Sequence, residues 1–296
     1  MRKRIRAAVR ARLVRVVDEV VSAHRHELEA ALTTYRRDLV ATLSAHRSEL
    51  EAALTTHNHE FRTALTAEVD RAIRTVHEVE CRSRRDLLAA GDRAAAASSE
   101  RFVREAMPTA PTFEDPIATL EYALSLAPVD GMALEFGVAT GRTLTVIAAA
   151  RENKQVFGFD SFEGLPEDWR TNIPAGTFKP DALPDIPGAE LVVGLFEDTL
   201  PRFLASHAES VAFVHLDADL YSSTATVFEH VGPRLQPGSV ILFDEYFNYP
   251  GWQQHEHRAW QEFVAASAIE FRYLAYTCNH EQVAIIITNI ASPKQQ

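Results

Sequence analysis

Between residues 23 and 66 the apolar side chains keep an eleven-residue beat. Blocks open at Ala23, Thr34, Ala45 and Thr56. Each places apolar residues at its sixth and tenth positions: Leu28 and Leu32, Leu39 and Leu43, Leu50 and Leu54, Phe61 and Leu65. Residues 47–56 nearly copy residues 25–34 at a displacement of 22. Eleven residues over three turns is about 3.67 per turn, so the stripe runs almost straight along a helix with a slight right-handed drift. All 14 prolines lie at or beyond Pro108, and Gly91 is the only glycine in the first hundred residues, which extends the helical reading across that segment. One helix cannot bury such a stripe; it needs a partner chain, a membrane surface or the C-terminal part of its own chain. Gly91 and the alanines at 94–97 are expected to mark fraying or a hinge before the second domain.

From residue 113 the pattern changes to short apolar runs alternating with helical stretches. Strands are predicted at 132–138, 156–160, 190–194, 211–217, 239–244, 271–276 and 282–288. Helices are predicted at 116–126, 142–151, 199–206, 223–234 and 255–266. Strands separated by helices make a parallel sheet covered on both faces, and the short polar loop at 277–281 makes the last two strands an antiparallel hairpin. The expected fold class is α/β: a doubly wound, seven-stranded, mostly parallel sheet preceded by a long α-helical, coiled-coil-like segment. The expected domains are 1–105 and 106–296.

The formal net charge of −11 is uneven: 18 Lys+Arg face 15 Asp+Glu in residues 1–100, and 12 face 26 in the remainder. That balance excludes a broadly basic nucleic-acid binder. No apolar run is long enough to span a bilayer. The two cysteines, Cys81 and Cys278, exclude a disulfide framework and a Cys-based zinc site and suit a reducing compartment, so a cytoplasmic location is expected. Arg2, Lys3, Arg4, Arg6, Arg10, Arg12 and Arg15 precede the first acid, Asp18, with Ile5, Val9, Leu13, Val16 and Val17 between and after them. A basic amphipathic end of this kind suits peripheral contact with anionic membrane, an organelle-targeting peptide, or a solvated helix end. For the repeat itself, self-association into a homo-oligomer is the expectation, and a lipid-surface helix is the second reading.

In a wound parallel sheet the ligand lies beyond the carboxyl ends of the strands. The first strand runs into Glu135-Phe136-Gly137-Val138-Ala139-Thr140-Gly141, where the glycines allow a tight turn and an acid stands two residues before Gly137. The spacing is not that of a dinucleotide turn, and the acid favours a cationic ligand over a diphosphate. Asp160, at the end of the second strand, sits where an acid accepts from ribose hydroxyls, so the two sites together imply a nucleoside cofactor. Asp217 and Asp219 follow the fourth strand, and Asp244 and Glu245 the fifth. Four acids in one cleft repel one another unless a cation sits between them, and oxygen-only ligands suit Mg²⁺ or a similar hard divalent ion.

Two segments, Gly158-Phe159-Asp160-Ser161-Phe162-Glu163-Gly164-Leu165-Pro166 and Leu216-Asp217-Ala218-Asp219-Leu220-Tyr221-Ser222-Ser223-Thr224, together with the glycine turn, resemble the class I S-adenosylmethionine-dependent methyltransferases. More narrowly they are similar to the macrocin O-methyltransferase family of metal-dependent sugar O-methyltransferases, over about residues 113–290. The resemblance implies a Rossmann-like fold and methyl transfer from S-adenosylmethionine to a hydroxyl of a sugar or other polyhydroxylated small molecule or glycan. It implies metal ligation by Asp217, Asp244 and Glu245, with Asp219 as general base. It further implies that Glu135, Gly137, Gly141, Asp160 and Ser161 hold the cofactor. Where the family usually has Asp-Asp after the fifth strand, this chain has Asp244-Glu245. Leu220 stands where catechol-type enzymes place a lysine.

Lesser candidates are Glu197 and Thr199 beside the adenine, Tyr246 and Trp252 as either a sugar-stacking surface or a cover for the sheet edge, His255 as an alternative base, and the loop at 169–186 as either a lid or a surface excursion. Two rival functions are a non-catalytic helical scaffold with a methyltransferase-like ligand-binding domain, and a nicotinamide-dependent oxidoreductase on a similar sheet.

Overall fold

The computed structural model describes residues 2–152 and 154–290. The outermost residues of the two expected domains, residue 1 and residues 291–296, lie outside that range. The chain forms two compact units, Met1–Arg82 and Ser83–Gln296. The first is carried by one helix, α1 (Arg2–Arg85), whose apolar stripe is exposed. Among the described residues no helix is long and apolar enough to cross a membrane.

α1 ends because Asp86 leaves the helical region and caps the next helix, α2 (Leu87–Ala106), accepting from the amides of Leu88 (2.9 Å) and Ala89 (3.2 Å). The expected boundary at 105/106 therefore differs from the division at 82/83, and the reason is packing. Ala95 and Ser99 of α2 are buried in the second unit, and Phe102 lies against Tyr246, Trp252, His257 and Tyr273. Gly91 is no hinge. It lies inside α2, where an added Cβ would approach Pro250 Cγ to 3.3 Å.

The remaining elements are β1 (Thr112–Phe113), α3 (Pro116–Leu126), β2 (Met132–Phe136), α4 (Arg142–Ala150), β3 (Val156–Asp160), β4 (Glu190–Val193), α5 (Phe196–Ser206), β5 (Val211–Leu216), α6 (Tyr221–Val231), β6 (Leu235–Phe243), α7 (Glu256–Ser267), β7 (Ile269–Thr277) and β8 (Val283–Ile290). Among the described residues the sheet has eight strands in the order β1-β7-β8-β6-β5-β2-β3-β4, not seven. The addition is β1, two residues paired parallel to β7, too short to leave an apolar pattern in the sequence. β8 runs antiparallel to both β6 and β7, and the other pairings are parallel.

β2 and β5 are buried along their whole length, as strands covered on both faces must be. Leu134 and Phe136 of β2 pack with Leu200, Phe203, Phe228 and Trp260 on the α5–α7 side. Ala133 packs with Leu120, Leu144 and Ile147 on the α3–α4 side. Glu135 shares the face of Ala133, because side chains alternate along a strand. The strand order reverses between β2 and β5, and the carboxyl ends of β2, β3, β5 and β6 meet at that point.

Candidate active site at the strand tips

A cavity of about 620 Å³ opens over those carboxyl ends. Gly137, Asp160, Ser161, Glu197, Asp217, Asp219 and Glu245 line it. The tips are laced together by backbone hydrogen bonds: Gly137 N to Phe159 O (2.9 Å), Asp217 N to Phe136 O (2.9 Å) and Asp244 N to Leu216 O (2.7 Å). Only glycine fits at 137, where φ is +92° and a Cβ would stand 1.8 Å from the carbonyl oxygen of Asp217. Three non-glycine residues facing the site or its loops, Ala139, Phe162 and Asp219, also hold positive φ. Such backbone strain persists where the surroundings over-determine it, and it gathers at functional sites.

Asp160 ties the turn to the sheet. Its Oδ2 accepts from the amides of Val138 (2.9 Å) and Ala139 (2.8 Å), and its Oδ1 from Phe162 N (2.7 Å). The amides that a dinucleotide's diphosphate would use are therefore already engaged. Oδ1 retains capacity for a further donor such as a hydroxyl. Ser161 Oγ accepts from Glu163 N at 3.1 Å and faces Gly164 O at 3.4 Å.

Two expected cofactor residues stand elsewhere. Gly141 caps α4 with φ +79° and is approached by Ile186, whose Cδ1 would lie 2.4 Å from an added Cβ. It does not line the cavity. Glu135 is fully buried on the α3–α4 side, where its Oε1 lies 2.8 Å from His215 Nδ1. The register explains the pairing, since β2 and β5 set Glu135 directly opposite His215.

Asp217, Asp244 and Glu245 each offer a carboxylate oxygen within 4.8 Å of the other two. Asp244 Oδ1 accepts from Gln282 Nε2 and lies 3.4 Å from His215 Nε2. Burial and the charge of Asp244 push Asp217 well above the usual carboxylate range, and burial with Asp244 and Asp217 does the same to Glu245. Burial also raises Asp219, to about 7, against the pull of Arg170. Burial works against Asp244 too, but His215 and Gln282 bring it down to about 2. Burial alone would depress His215; Asp244 and Glu135 outweigh it and lift it well above its ordinary value.

Among the described residues the cations near this cluster are His215 and Arg170, and Arg170 is already held. It donates to both oxygens of Glu281 (3.0 and 2.8 Å) and stacks on Trp169 and Tyr249, 3.7 and 4.2 Å from the ring centroids. One oxygen of Glu245, Oε2, is buried without a hydrogen-bond partner. An all-oxygen donor set with surplus negative charge and an orphaned buried oxygen fits a hard divalent cation.

The lesser candidates divide. Thr199 is buried and bonds Leu195 O through its hydroxyl, away from the cavity lining. Tyr246 and Trp252 turn into the core, where Tyr246 Oη meets Tyr273 Oη at 3.0 Å and Trp252 Nε1 donates to Ser98 Oγ at 3.0 Å. The aromatics on the cavity are Trp169, Phe178 and Phe196. His255 is half-buried beside Trp169 and Tyr249 and is not part of the lining. The loop at 169–186 covers the cavity with Trp169, Arg170, Ile173 and Phe178. Its anchor, the Arg170–Glu281 pair, joins residues 111 apart and has no local signature in the sequence. His215 was detectable as a titratable residue inside an otherwise apolar strand two positions before Asp217.

The family described as "Methyltransferase domain" matches residues 134–246, the span from β2 through the acids after β6. Two curated relatives are a Streptomyces olivaceus protein named 8-demethyl-8-(2,3-dimethoxy-alpha-L-rhamnosyl)-tetracenomycin-C 4'-O-methyltransferase and a Micromonospora griseorubida protein named mycinamicin III 3''-O-methyltransferase. The first is 42% identical over 53 residues, 18% of this chain and 19% of the relative. The second is 38% identical over 53 residues, 18% of this chain and 20% of the relative. The matched stretch thus spans about a fifth of each curated relative. Among solved structures, the calicheamicin methyltransferase CalS11 is 27% identical over 52% of this chain and 72% of its own, with a TM-score of 0.42. The O-methyltransferase NovP is 21% identical over 58% and 79%, with a TM-score of 0.44. Residues 134–246 thus match the methyltransferase-domain family, and α1 and α2 lie outside the matched region.

Proposed function

We propose that this chain is an S-adenosylmethionine-dependent O-methyltransferase acting on a sugar or similarly polyhydroxylated acceptor, assisted by a divalent cation such as Mg²⁺. The observation that carries the proposal is the convergence of Asp217, Asp244 and Glu245 beside the lining residue Asp219. Gly137, Asp160 and Ser161 are the lining residues assigned to the nucleoside, and the engaged amides of Val138 and Ala139 speak against a nicotinamide dinucleotide. Glu135 acts from behind, through His215, on Asp244 of the acidic cluster.

The donor supplies a methyl group on a sulfonium, and its transfer to oxygen yields the methyl ether, S-adenosylhomocysteine and one proton. Asp217, Asp244 and Glu245 would hold the cation, which supplies a positive charge that orients adjacent hydroxyls and eases loss of a proton from one of them. Asp219 takes that proton. A base works best with a pKa near the working pH, and burial gives Asp219 a value of about 7. Trp169, Phe178 and Phe196 present apolar faces to the acceptor, and the Arg170–Glu281 pair pins the loop that carries Trp169.

The test is turnover of S-adenosylmethionine with a panel of glycosides and sugar nucleotides. Release of S-adenosylhomocysteine is expected. Asp219→Asn should lower kcat about 10²–10⁴-fold with cofactor affinity unchanged. Release of S-adenosylhomocysteine at an equal rate from the Asp219→Asn variant would remove Asp219 from its role, and no release on any acceptor would favour the inert-scaffold alternative.

A further inference from the structure

α1 keeps its apolar stripe in solvent: the eight residues from Leu28 to Leu65 that define it are between 48% and 70% exposed. The polar residues bordering the stripe are not symmetric. At about 98° per residue, the angle set by an eleven-residue repeat over three turns, the stripe centres on Leu28, Leu39, Leu50 and Phe61. Arg25, Arg36 and Arg47 lie about 66° to one side of that centre, and Glu29, Glu51 and Arg62 about 98° to the same side. This flank carries a net charge of +2. On the opposite side the positions at about 66° are small, Ala31, Thr42, Ala53 and Ala64, and those at about 98° are Glu27, Asp38, Glu49 and Glu60. That flank carries a net charge of −4.

Two such helices laid stripe to stripe in parallel bring each positive flank against the negative flank of the other. Laid antiparallel, they bring positive against positive and negative against negative. In register, Arg36 lies at nearly the level of Asp38 of the second copy and reaches it past that copy's Tyr35, and the same spacing recurs for Arg25 and Glu27 past His24 and for Arg47 and Glu49 past His46. The stripe is narrow, as befits a seam between two helices rather than a face buried in a larger bundle. We propose that residues 23–66 of α1 pair with the same residues of a second copy as a parallel, in-register, two-stranded rod. The pairing does not depend on methyl transfer at the cleft.

The experiment uses the full chain with Cys81→Ser and Cys278→Ser, both cysteines being exposed and free. Single cysteines, Ala30→Cys, Ala41→Cys or Ala52→Cys, are spin-labelled on the polar side of the helix, and distances between labels are read by double electron–electron resonance. A parallel in-register pair gives one short distance, the same at all three sites. An antiparallel pair gives distances that grow by about 3 Å of axial offset for every residue away from its centre, and would overturn the proposal. Light scattering must give a dimer; a monomer that gains order only on vesicles of anionic phospholipid would assign the stripe to lipid instead. Charge reversal adds a second reading. Arg25→Glu, Arg36→Glu and Arg47→Glu together should weaken self-association at least about tenfold. Mixing that variant with one bearing Glu27→Lys, Asp38→Lys and Glu49→Lys should restore a mixed dimer. Failure of the mixture to pair, with both variants helical by circular dichroism, would also overturn it.

Discussion

Asp219 and Asp244 are both carboxylates beside one cavity, yet their surroundings drive them apart, to about 7 and about 2. The difference comes from partners. Asp244 faces His215 and accepts from Gln282, whereas Asp219 is buried near other acids with only Arg170 pulling it down. The consequence for stability has a definite sign. Asp217, Asp219 and Glu245 are raised, so the stability they allow is present at low pH and is lost as pH rises through their folded values. For Asp219 that window runs from the ordinary 3.8 to about 7. Asp244, lowered, gives up stability only as pH falls toward about 2. Metal-free protein should therefore melt at a lower temperature at pH 8 than at pH 5, and Mg²⁺ should raise the melting temperature more at pH 8. Calorimetry showing the same melting temperature at both values, with and without Mg²⁺, would contradict this. At this scale the strand-tip acids are legible because all four fall within three residues of the end of an apolar run. The Glu135–His215 contact was not, because it depends on the register of strands 80 residues apart. Between a stacking surface and a cover for the sheet, Tyr246 and Trp252 take the covering role: an aromatic residue past a strand tip can turn either way, and both of these found hydroxyl partners in the core.

The elements act on the site through how closely they meet. The ends of β2 and β5 approach so tightly at Gly137 that a methyl group would overlap the carbonyl of Asp217. Gly137→Ala must either displace Asp217 or leave its own backbone strained, and the cost should reach about 3 kcal/mol or more. Loss of cofactor binding in a variant that still folds, measured by titration calorimetry, is the expected outcome; wild-type binding would show that the tips have more room than the geometry allows. Strands and helices with clear apolar periodicity were predicted within a few residues of their observed ends, with β3 and α3 at the same limits. β1 escaped because two residues make no pattern, and β6 begins earlier than expected because Pro237 and Gly238 near its start read as a turn.

For the whole molecule, the division into units falls inside what reads as one helical segment. α2 has the composition of a rod but the packing of a domain helix: Ser99 Oγ accepts from Asn248 N at 2.8 Å, and Phe102 joins the aromatic cluster behind the loop after β6. A fragment of residues 83–296 should be as stable as the full chain's second unit. Starting at 106 instead removes Phe102, Ala95 and the Ser98 and Ser99 hydrogen bonds and should lower stability by about 3–5 kcal/mol, the range for loss of one large buried aromatic. Equal chemical-denaturation midpoints for the two fragments would mean that α2 is dispensable. The central claim concerns the cluster of Asp217, Asp244 and Glu245. Its most direct test is titration of the metal-free protein with Mn²⁺ followed by electron paramagnetic resonance. The expected result is one ion bound per chain, lost in the folded Asp217→Asn variant; an absence of saturable binding, or binding that Asp217→Asn leaves intact, would contradict it.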